Sequence, residues 1–517
     1  MHYNFDKNDW LWKHRYNLLL IIVLFLLYMI VYLPMCARHG VAVEETQFTH
    51  NHLPVQLCNG RWGIYLFRTL THSGEFLPYG AGILAGIFIS LALWVQIKLF
   101  NINQFSRQII YALFYFSCTQ WAYQLRYSNQ SHAIALGILC ISMAAYIQVN
   151  YSNNIWKMLI SSLLICFTIS TYQTLTLYYG VLIVAAFLNN YIHFNKQAKF
   201  RQLLYIFISA AFAFILYSII GKLLICLLQP PAAMLMHVKE YQDSMSALPD
   251  FLNATLVEKI RILAHFGIKT PIKDVIGSVY RGQWIFSTAI LPFMFLLCHI
   301  IFKQEKIKFI YILIPFIILL LPFWGDVLLI CEAPMRAQIA EPISLASLWA
   351  IALPFMKYDK KWVQSFIFTF GCVIFIYSTC RVSTISRDEH WAWERSKEEV
   401  LAMYSRAQQV GLQAGYSDCP IYILGNISIS TDHLFDLEDI GFCPDSAYPN
   451  VIKFKEWTEY YLYYLRLPRL KHGNKEDTER HREAYENMPS WPSDGSIKAH
   501  KGEVIIRIGQ ETPGSNI

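Results

Sequence analysis

Two adjacent carboxylates, Glu44 and Glu45, follow the first long apolar run of the chain, Leu18 to Leu33. Neighbouring side chains point about 100° apart on a helix and to opposite faces on a strand, so only one of the two can face a given cavity. A carboxylate at a dry membrane boundary can have its pKa raised towards neutrality, which suits a general base. The alternative is a pair of solvated loop acids, and position alone leaves both interpretations open.

Two charged residues near later apolar runs could bind an anion. Arg336 precedes the run 342–356, and Asp326 follows the run 308–323. A guanidinium can bind a phosphate through two parallel hydrogen bonds, and lipid phosphate is the anion available at a membrane surface. Asp326 could be a second carboxylate of the site or a partner of Arg336. The alternative for Arg336 is an interfacial arginine whose charged head reaches water.

Polar groups end two apolar runs on the same side as Glu44. Tyr172 and Gln173 stand at the end of the run 156–172, and Gln124 and Arg126 stand at the end of the run 109–124. Glutamine and tyrosine supply neutral hydrogen bonds of the kind that suit sugar hydroxyl groups. Each residue taken singly is better explained as an anchor at the membrane interface, and it is their convergence on one side that points to a site.

The segment 60–70 mixes aromatic and basic residues and predicts a helix lying in the membrane interface. Arg61 and Arg68 would lie near lipid head groups, with Trp62, Tyr65 and Phe67 at the acyl boundary.

Histidines and cysteines show no metal-ligand spacing, so we expect no metal site. Four histidines share the first loop: His39, His50, His52 and His72. Of these, His50 or His52 could help to position a substrate, and we select His52. Cys419 and Cys443 could form a disulfide, and this point stays open. The chain has neither a GxGxxG pattern nor a P-loop, so neither a nucleotide cofactor nor a nucleic-acid partner is expected.

The composition indicates a polytopic α-helical membrane protein. Apolar residues make up 55% of the 517 residues and charged residues only 15%. A membrane-spanning helix needs about 20 apolar residues. About eleven runs approach this length: 17–36, 79–100, 109–124, 132–149, 156–172, 175–190, 203–228, 284–302, 308–323, 342–356 and 363–379. We interpret the first run as an uncleaved signal anchor, because it exceeds the apolar core of a signal peptide.

Basic residues predict the orientation. With the N-terminus in the cytoplasm, nearly every short inner segment is basic, as the positive-inside rule requires. The inner residues are Lys7, Lys13, Arg15, Arg107, Lys157, Lys196, Lys199, Arg201, Lys303, Lys306, Lys308, Lys357, Lys360 and Lys361. An odd number of spans then places everything after residue 380 outside the membrane.

These patterns divide the chain into two predicted domains. Residues 1–384 form a transmembrane catalytic domain with a first outer loop at 37–78 and a large outer loop at 229–283. Residues 385–517 form a small extracytoplasmic α/β domain. Within it we predict a helix over Ser386–Gly411, strands at 420–425 and 503–509, and a charged loop over about 466–500.

Four short motifs together resemble the bacterial type II glucosyltransferases, the O-antigen serotype-converting enzymes of the GT-C superfamily of membrane glycosyltransferases. They are the outer acidic pair Glu44-Glu45, the segment Asn59-Gly-Arg-Trp62, the pair Tyr172-Gln173 and the segment Pro334-Met-Arg336. The resemblance covers about residues 15–380 and implies a GT-C-like fold.

The resemblance implies hexose transfer, most simply of glucose, from a polyprenyl-phosphate donor to a lipid-linked or surface glycan at the bacterial inner membrane. Glu44 or Glu45, with a preference for Glu44, would deprotonate the acceptor hydroxyl. Arg336, supported by Arg61, would stabilise the departing phosphate. Related proteins often carry Asp in the acidic pair, and the Glu-Glu pair leaves open which carboxylate faces the site.

Two other classes of function remain compatible with the sequence. A transporter or flippase of lipid-linked sugars would need polar residues deep in several spans. Such residues are scarce, and the clearest case, Lys222, lies near the end of a long run. A glycan polymerase or ligase would share the topology and the lipid-linked substrates.

Overall fold

The computed structural model describes the chain in segments. They are 7–37, 53–71, 78–125, 127, 130–151, 154–194, 200–232, 235–236, 251, 253–269, 272, 284–303, 309–325, 327, 337–356, 360–416, 418–424, 470–472 and 475–508. The described residues fall into two compact units. Unit 1 lies within Met1–Ala37 and Leu53–Thr384, and unit 2 lies within Ile385–Ile517.

Helices make up the described elements that lie wholly or partly in unit 1. They are α1 (Lys7–Ala37), α2 (Leu53–Cys58), α3 (Trp62–Leu70), α4 (Pro78–Leu99), α5 (Phe105–Ser117), α6 (Gln120–Leu125), α7 (Ser131–Asn150), α8 (Ile155–Thr171), α9 (Leu175–Phe194), α10 (Phe200–Leu228), α11 (Leu256–Ala264), α12 (Trp284–Ser287), α13 (Ile290–Lys303), α14 (Phe309–Leu320), α15 (Glu341–Ala352) and α16 (Lys361–Gln413). Short 3-10 turns, Leu321–Phe323 and Leu353–Phe355, follow α14 and α15.

Seven stretches of described helix are long and apolar enough to cross a membrane. They are Arg15–Ala37, Tyr79–Leu99, Ser131–Asn150, Leu175–Phe194, Phe200–Leu228, Trp284–Phe302 and Lys361–Arg387. Three shorter apolar helices are Ile155–Thr171, Tyr311–Phe323 and Glu341–Phe355. The predicted helical membrane protein is therefore confirmed in outline, while the length criterion for a span is met by seven helices and not by eleven.

The predicted run 109–124 is interrupted. Helix α5 ends at Ser117, Cys118 adopts an extended conformation, and α6 begins at Gln120. The Tyr32 hydroxyl of α1 lies 2.9 Å from the Cys118 carbonyl oxygen and 3.2 Å from that of Phe116. These hydrogen bonds satisfy carbonyl groups that the break removes from the helical ladder.

Small residues bring α1 and α4 close together. A Cβ atom added to Gly86 would lie 2.5 Å from the Tyr28 ring of α1, and one added to Gly82 would overlap the Cys36 side chain. The Tyr28 hydroxyl also donates a 2.9 Å hydrogen bond to the Gly82 carbonyl oxygen. Glycines four residues apart allow close approach of helices in membranes, where lipid is as apolar as the side chains.

A buried hydrogen-bond network joins α4, α5, α7 and α9. The Gln96 amide donates to the hydroxyl groups of Ser142 and Tyr178, each at 2.8 Å, and accepts from Tyr111 at 2.8 Å. The Tyr115 and Tyr178 hydroxyl groups lie 3.0 Å apart. Every polar atom of the Gln96 side chain therefore has a partner, which is what a purely structural role in an apolar bundle requires.

Replacing Gln96 by Leu should destabilise the protein, because the Tyr111 hydroxyl would lose its acceptor inside the bundle. We expect a loss of about 1–3 kcal/mol, the usual cost of an orphaned buried polar group. Thermal unfolding in detergent micelles measures it. The control Gln364→Leu removes a single hydrogen bond to Ser106 at a part-buried position, and an equal loss in both variants would contradict the expectation.

Helix α11 lies within the predicted large outer loop. Thr255 and Glu258 form a capping box at its start, and their hydrogen bonds lower the pKa of the Glu258 carboxyl. None of its residues is buried. Its apolar side chains, including Leu256, Val257 and Ile260, are well exposed, so this helix is amphipathic and covered by no described part of the protein.

Unit 2 contains a four-stranded mixed sheet with strand order β2-β1-β4-β3. Its strands are β1 (Ile421–Leu424), β2 (Leu470–His472), β3 (Ile497–His500) and β4 (Glu503–Arg507). Strand β1 is parallel to β2 and β4, whereas β3 and β4 are antiparallel. The two predicted strands are therefore confirmed.

Two predictions for unit 2 are wrong in part. The helix predicted over Ser386–Gly411 is no separate element, because α16 is continuous from Lys361 to Gln413. The region predicted as loop, 466–500, contains β2, β3 and two short helices, α17 (Lys475–Arg480) and α18 (Arg482–Glu486). Cys419 carries a free thiol, and Cys443 lies outside the described residues.

Candidate functional site

Helix α3 is packed inside unit 1, which corrects its predicted place in the membrane interface. The Trp62 indole is 4% exposed and stacks on Tyr217 of α10, with ring centroids 6.3 Å apart. Arg68 is also 4% exposed, so neither side chain is available to lipid head groups. Gly63 lies against Ser170 of α8, where an added Cβ would be 3.0 Å from the Ser170 carbonyl carbon.

The buried helix α3 brings three predicted site residues together as the Arg61 cluster, defined as Arg61, Tyr172 and Gln173. The Arg61 guanidinium carbon lies 4.9 Å from the centroid of the Tyr172 ring, a cation–π contact. Gln173 donates a 3.1 Å hydrogen bond to the carbonyl oxygen of Asn59, two residues before Arg61. The first-loop segment is thereby fixed to the end of α8.

Gly60 makes the turn into α3 possible. Its φ of +74° lies in the left-handed region, which favours glycine over residues with a Cβ. The site of a Cβ on Gly60 is also occupied by the Tyr217 hydroxyl, which lies 3.4 Å from the Gln173 amide nitrogen. The sequence Asn59-Gly60-Arg61 therefore fits a narrow gap between α8 and α10, and this places the guanidinium over Tyr172.

Replacing Gln173 by Leu should release the Asn59 carbonyl from α8 and let Arg61 move. If Arg61 contacts the donor phosphate, the KM for donor should rise several-fold to about 100-fold, the scale of a displacement of about 1 Å. Steady-state kinetics measures this. The control Gln202→Leu removes a similar amide-to-carbonyl bond, 2.9 Å long, to Val149. An unchanged KM in Gln173→Leu would show that this hydrogen bond does not position the site.

A second polar group, the Glu341 cluster, is defined as Gln120, Gln124 and Glu341. The Gln120 amide nitrogen donates to Glu341 Oε2. All three side chains are buried, with exposures of 3%, 1% and 1%. Among the described residues of unit 1, Glu341 is the one buried carboxylate. It lies in the first turn of α15, followed by Pro342, where the helix dipole favours a negative charge.

The two clusters lie at the same end of the unit 1 helices. Helices α7 and α8 are antiparallel, with the Thr168 hydroxyl donating to the Gly137 carbonyl oxygen at 3.0 Å, so the start of α7 adjoins the end of α8. Helix α6 leads into that start of α7. His132, the second residue of α7, lies 5.3 Å from the Phe67 ring of α3, centroid to centroid.

Several buried polar atoms in and beside the Glu341 cluster have no hydrogen-bond partner among the residues that the structure describes. Gln124 has none for either amide atom, and Gln120 none for its amide oxygen. Close by along the chain, Thr119 Oγ1, Gln130 Oε1 and Ser131 Oγ are also buried without a hydrogen-bond partner among the described residues. Buried polar groups in proteins are normally paired, so this concentration in one short segment, 119–131, marks it as unusual.

Six predicted site residues lie outside the described residues: Glu44, Glu45, His52, Arg126, Asp326 and Arg336. Their predicted roles are therefore not tested by the structure. The described residues contain no group of three or more His, Cys, Asp or Glu side chains that could hold a metal ion.

Sequence reasoning missed Gln120 and Glu341. Glu341 stands next to Pro342 at the start of an apolar run, and a charge so close to a run is expensive to bury. That position was the available signal. Its contact with Gln120, which is 221 residues away along the chain, could not be read from spacing.

Seven helices among the described residues are long and apolar enough to cross a membrane, which indicates a multi-pass membrane protein. The buried polar residues at one end of the unit 1 helices are its candidate site. Among known families, the one described as Glucosyl transferase GtrII matches residues 42–353, and the chain belongs to this family. The resemblance drawn from the motifs is confirmed. Membership implies a membrane glucosyltransferase with a sugar donor and a glycan acceptor.

The matched range includes all nine predicted site residues as well as Gln120 and Glu341, and it ends before residues 385–517. Comparison with curated proteins gave no significant match, and neither did comparison with solved structures.

Proposed function

We propose that the protein transfers glucose from a polyprenyl-phosphate donor to a lipid-linked or surface glycan on the outer face of the bacterial inner membrane. The observation that carries the proposal is the family match over residues 42–353. It is supported by the grouping of Arg61, Tyr172 and Gln173 at one helix end. The basic inner segments support the orientation, in which this end faces outwards.

In the proposed reaction, Glu44 or Glu45 takes the proton of an acceptor hydroxyl group as its oxygen attacks C1 of the glucose. The bond between C1 and the phosphate oxygen breaks, and the polyprenyl monophosphate leaves with that bond's electron pair. Arg336 and Arg61 stabilise the charge that develops on the phosphate. The products are the glucosylated glycan, the lipid monophosphate and the protonated glutamate.

The membrane contributes to the rate in this scheme. Donor and acceptor are both held at the same surface, so part of the entropy of bringing them together is already lost before they meet. The other proposed substrate contacts are His52, Arg126 and Asp326.

The test is an assay of the purified protein with a panel of polyprenyl-phosphate sugars and a lipid-linked glycan. We expect release of lipid phosphate from the glucose donor together with a glycan heavier by one hexose. Movement of the intact lipid-linked sugar across a vesicle membrane without release of lipid phosphate would identify a transporter instead. Joining of whole oligosaccharides would identify a polymerase or ligase.

A further inference from the structure

We propose that the Glu341 cluster binds the hydroxyl groups of the transferred hexose, so that Gln120, Gln124 and Glu341 form the sugar-binding part of the donor site. This inference rests on the proposed function. It assigns to described residues a role that is separate from the general base and from the phosphate-binding arginines.

The first argument is the burial of a charge. Glu341 is 1% exposed in a unit of apolar helices, and an ionisable residue in such a place is costly and usually functional. A carboxylate accepts hydrogen bonds but donates none, so it suits the O–H groups of a pyranose. The hydrogen bond from Gln120 holds the carboxylate in place from one side.

The second argument is the set of unsatisfied amide atoms. Gln120 and Gln124 are four residues apart on α6 and therefore share one face of the helix. That face carries the unpaired oxygen of Gln120 and both unpaired amide atoms of Gln124. Each buried polar atom without a hydrogen-bond partner lowers the stability of the fold by about 1–3 kcal/mol. A sugar hydroxyl both donates and accepts, so a hexose can satisfy amide nitrogen and amide oxygen together.

A comparison within the chain separates this site from a structural network. Gln96 is also buried, but its amide has partners in Ser142, Tyr178 and Tyr111. Gln124 has the same side chain and the same burial with no partner at all among the described residues. The amide of Gln96 in the middle of the bundle is thus fully paired, whereas both amide atoms of Gln124 lack a partner at the end that carries the Arg61 cluster. The buried Gln148 at the other end of α7 is intermediate, since its amide oxygen accepts from Tyr179 while its amide nitrogen has no partner among the described residues.

The burial of the site favours a single sugar over a long glycan. The unpaired atoms are covered by protein in this structure, and a glutamine side chain can be turned by rotation about its own bonds without moving the helix. Such a rearrangement admits the one hexose of the donor more readily than a long glycan. We therefore assign the site to the donor sugar and not to the acceptor.

The experiment compares two ligands in detergent micelles: a polyprenyl-phosphate glucose and the same polyprenyl phosphate without sugar. The wild-type protein should bind the sugar-bearing lipid more tightly, with a larger rise in Tm. Gln124→Met should lose most of this difference, with Kd for the glucose lipid at least about tenfold weaker, equivalent to one good hydrogen-bonded contact. Binding of the bare lipid phosphate should be unchanged.

The ligand-free Tm distinguishes a sugar-binding Gln124 from one that only stabilises the fold. Met has a similar volume and removes the unpaired amide, so for a sugar-binding Gln124 the Tm of Gln124→Met without ligand should equal or exceed that of the wild type. Glu341→Gln keeps an acceptor for Gln120 but loses the charge, and should weaken the glucose lipid selectively. The control is Gln148→Met at the other end of α7, which removes a buried glutamine bonded to Tyr179.

Two results would overturn the assignment. One is an equal preference for the glucose lipid in wild type and Gln124→Met, and the other is no preference in the wild type itself. Failure of the proposed function is recognised separately, as an absence of transfer by a wild-type protein that still distinguishes the two lipids.

Discussion

Replacing the proposed general base, Glu44 or Glu45, by Gln is expected to lower glucose transfer by about 100- to 10,000-fold, the usual contribution of a general base. Gln keeps the size of Glu but cannot accept a proton at neutral pH. Because neighbouring residues point in different directions, the other single variant should keep most of its activity. The double variant should then be no less active than the inactive single variant.

Transfer by each variant is measured with saturating glucose donor, and ligand-free Tm checks the fold. Glu258→Gln is the matched control, since it makes the same change at an exposed carboxylate of α11 and retains a capping-box residue. Full activity in both single variants and in the double variant would remove the pair from the mechanism. We expect Glu44→Gln to be the inactive single variant.

The second large effect is expected from Gly63→Ala. The new Cβ would overlap the Ser170 hydroxyl and lie 3.0 Å from the Ser170 carbonyl carbon, and backbone cannot rotate away as a side chain can. We expect a loss of about 1–3 kcal/mol from this overpacking. Because α3 would move away from α8, Arg61 would also leave its place over Tyr172. Transfer should fall by about 10- to 100-fold.

Gly371→Ala is the control for that variant. The same change in helix α16 would bring the new Cβ to 3.5 Å from Leu113, an ordinary van der Waals distance. Its effect should be neutral, or stabilising by up to about 1 kcal/mol through helix propensity. Thermal unfolding and transfer rates of the two variants give the comparison. Equal behaviour would mean that α3 can shift at little cost.

The positions of the long helices of unit 1 could be predicted from the sequence because each contains a long apolar run. The apolar runs could not predict that α3 is buried within unit 1. Trp62 and Tyr217 are 155 residues apart, and contacts between such distant residues bury Trp62. The predicted interface character describes α11 better, whose exposed apolar side chains include Leu256 and Ile260.

The charged region of unit 2 was misjudged for a related reason. High charge suggested a loop, yet the charges find partners within the sheet and its helices. His481 is fully buried and lies 2.8 Å from Glu503 of β4. Arg507 donates to the Tyr485 carbonyl oxygen at 2.9 Å. Pairing of this kind depends on the tertiary fold and leaves no periodic signal.

For the site, residue type and position were sufficient to select Arg61, Tyr172 and Gln173. In the structure Arg61 contacts Tyr172, and Gln173 binds the carbonyl oxygen of Asn59. The function of these three remains a prediction, as does that of the six residues outside the described segments. Glu341 and Gln120 were missed because polar residues beside apolar runs are common, and their significance comes from burial and mutual contact.

The glycine contacts between α1 and α4 bear on how the protein is made. These are the first two of the seven potential spans to leave the ribosome, and synthesis delivers the chain slowly compared with the motion of neighbouring helices. Gly82 and Gly86 make their contact with α1 through close packing and need no residue from later in the sequence. The two helices can therefore pair during membrane insertion. The later helices can then pack against this pair as they are inserted.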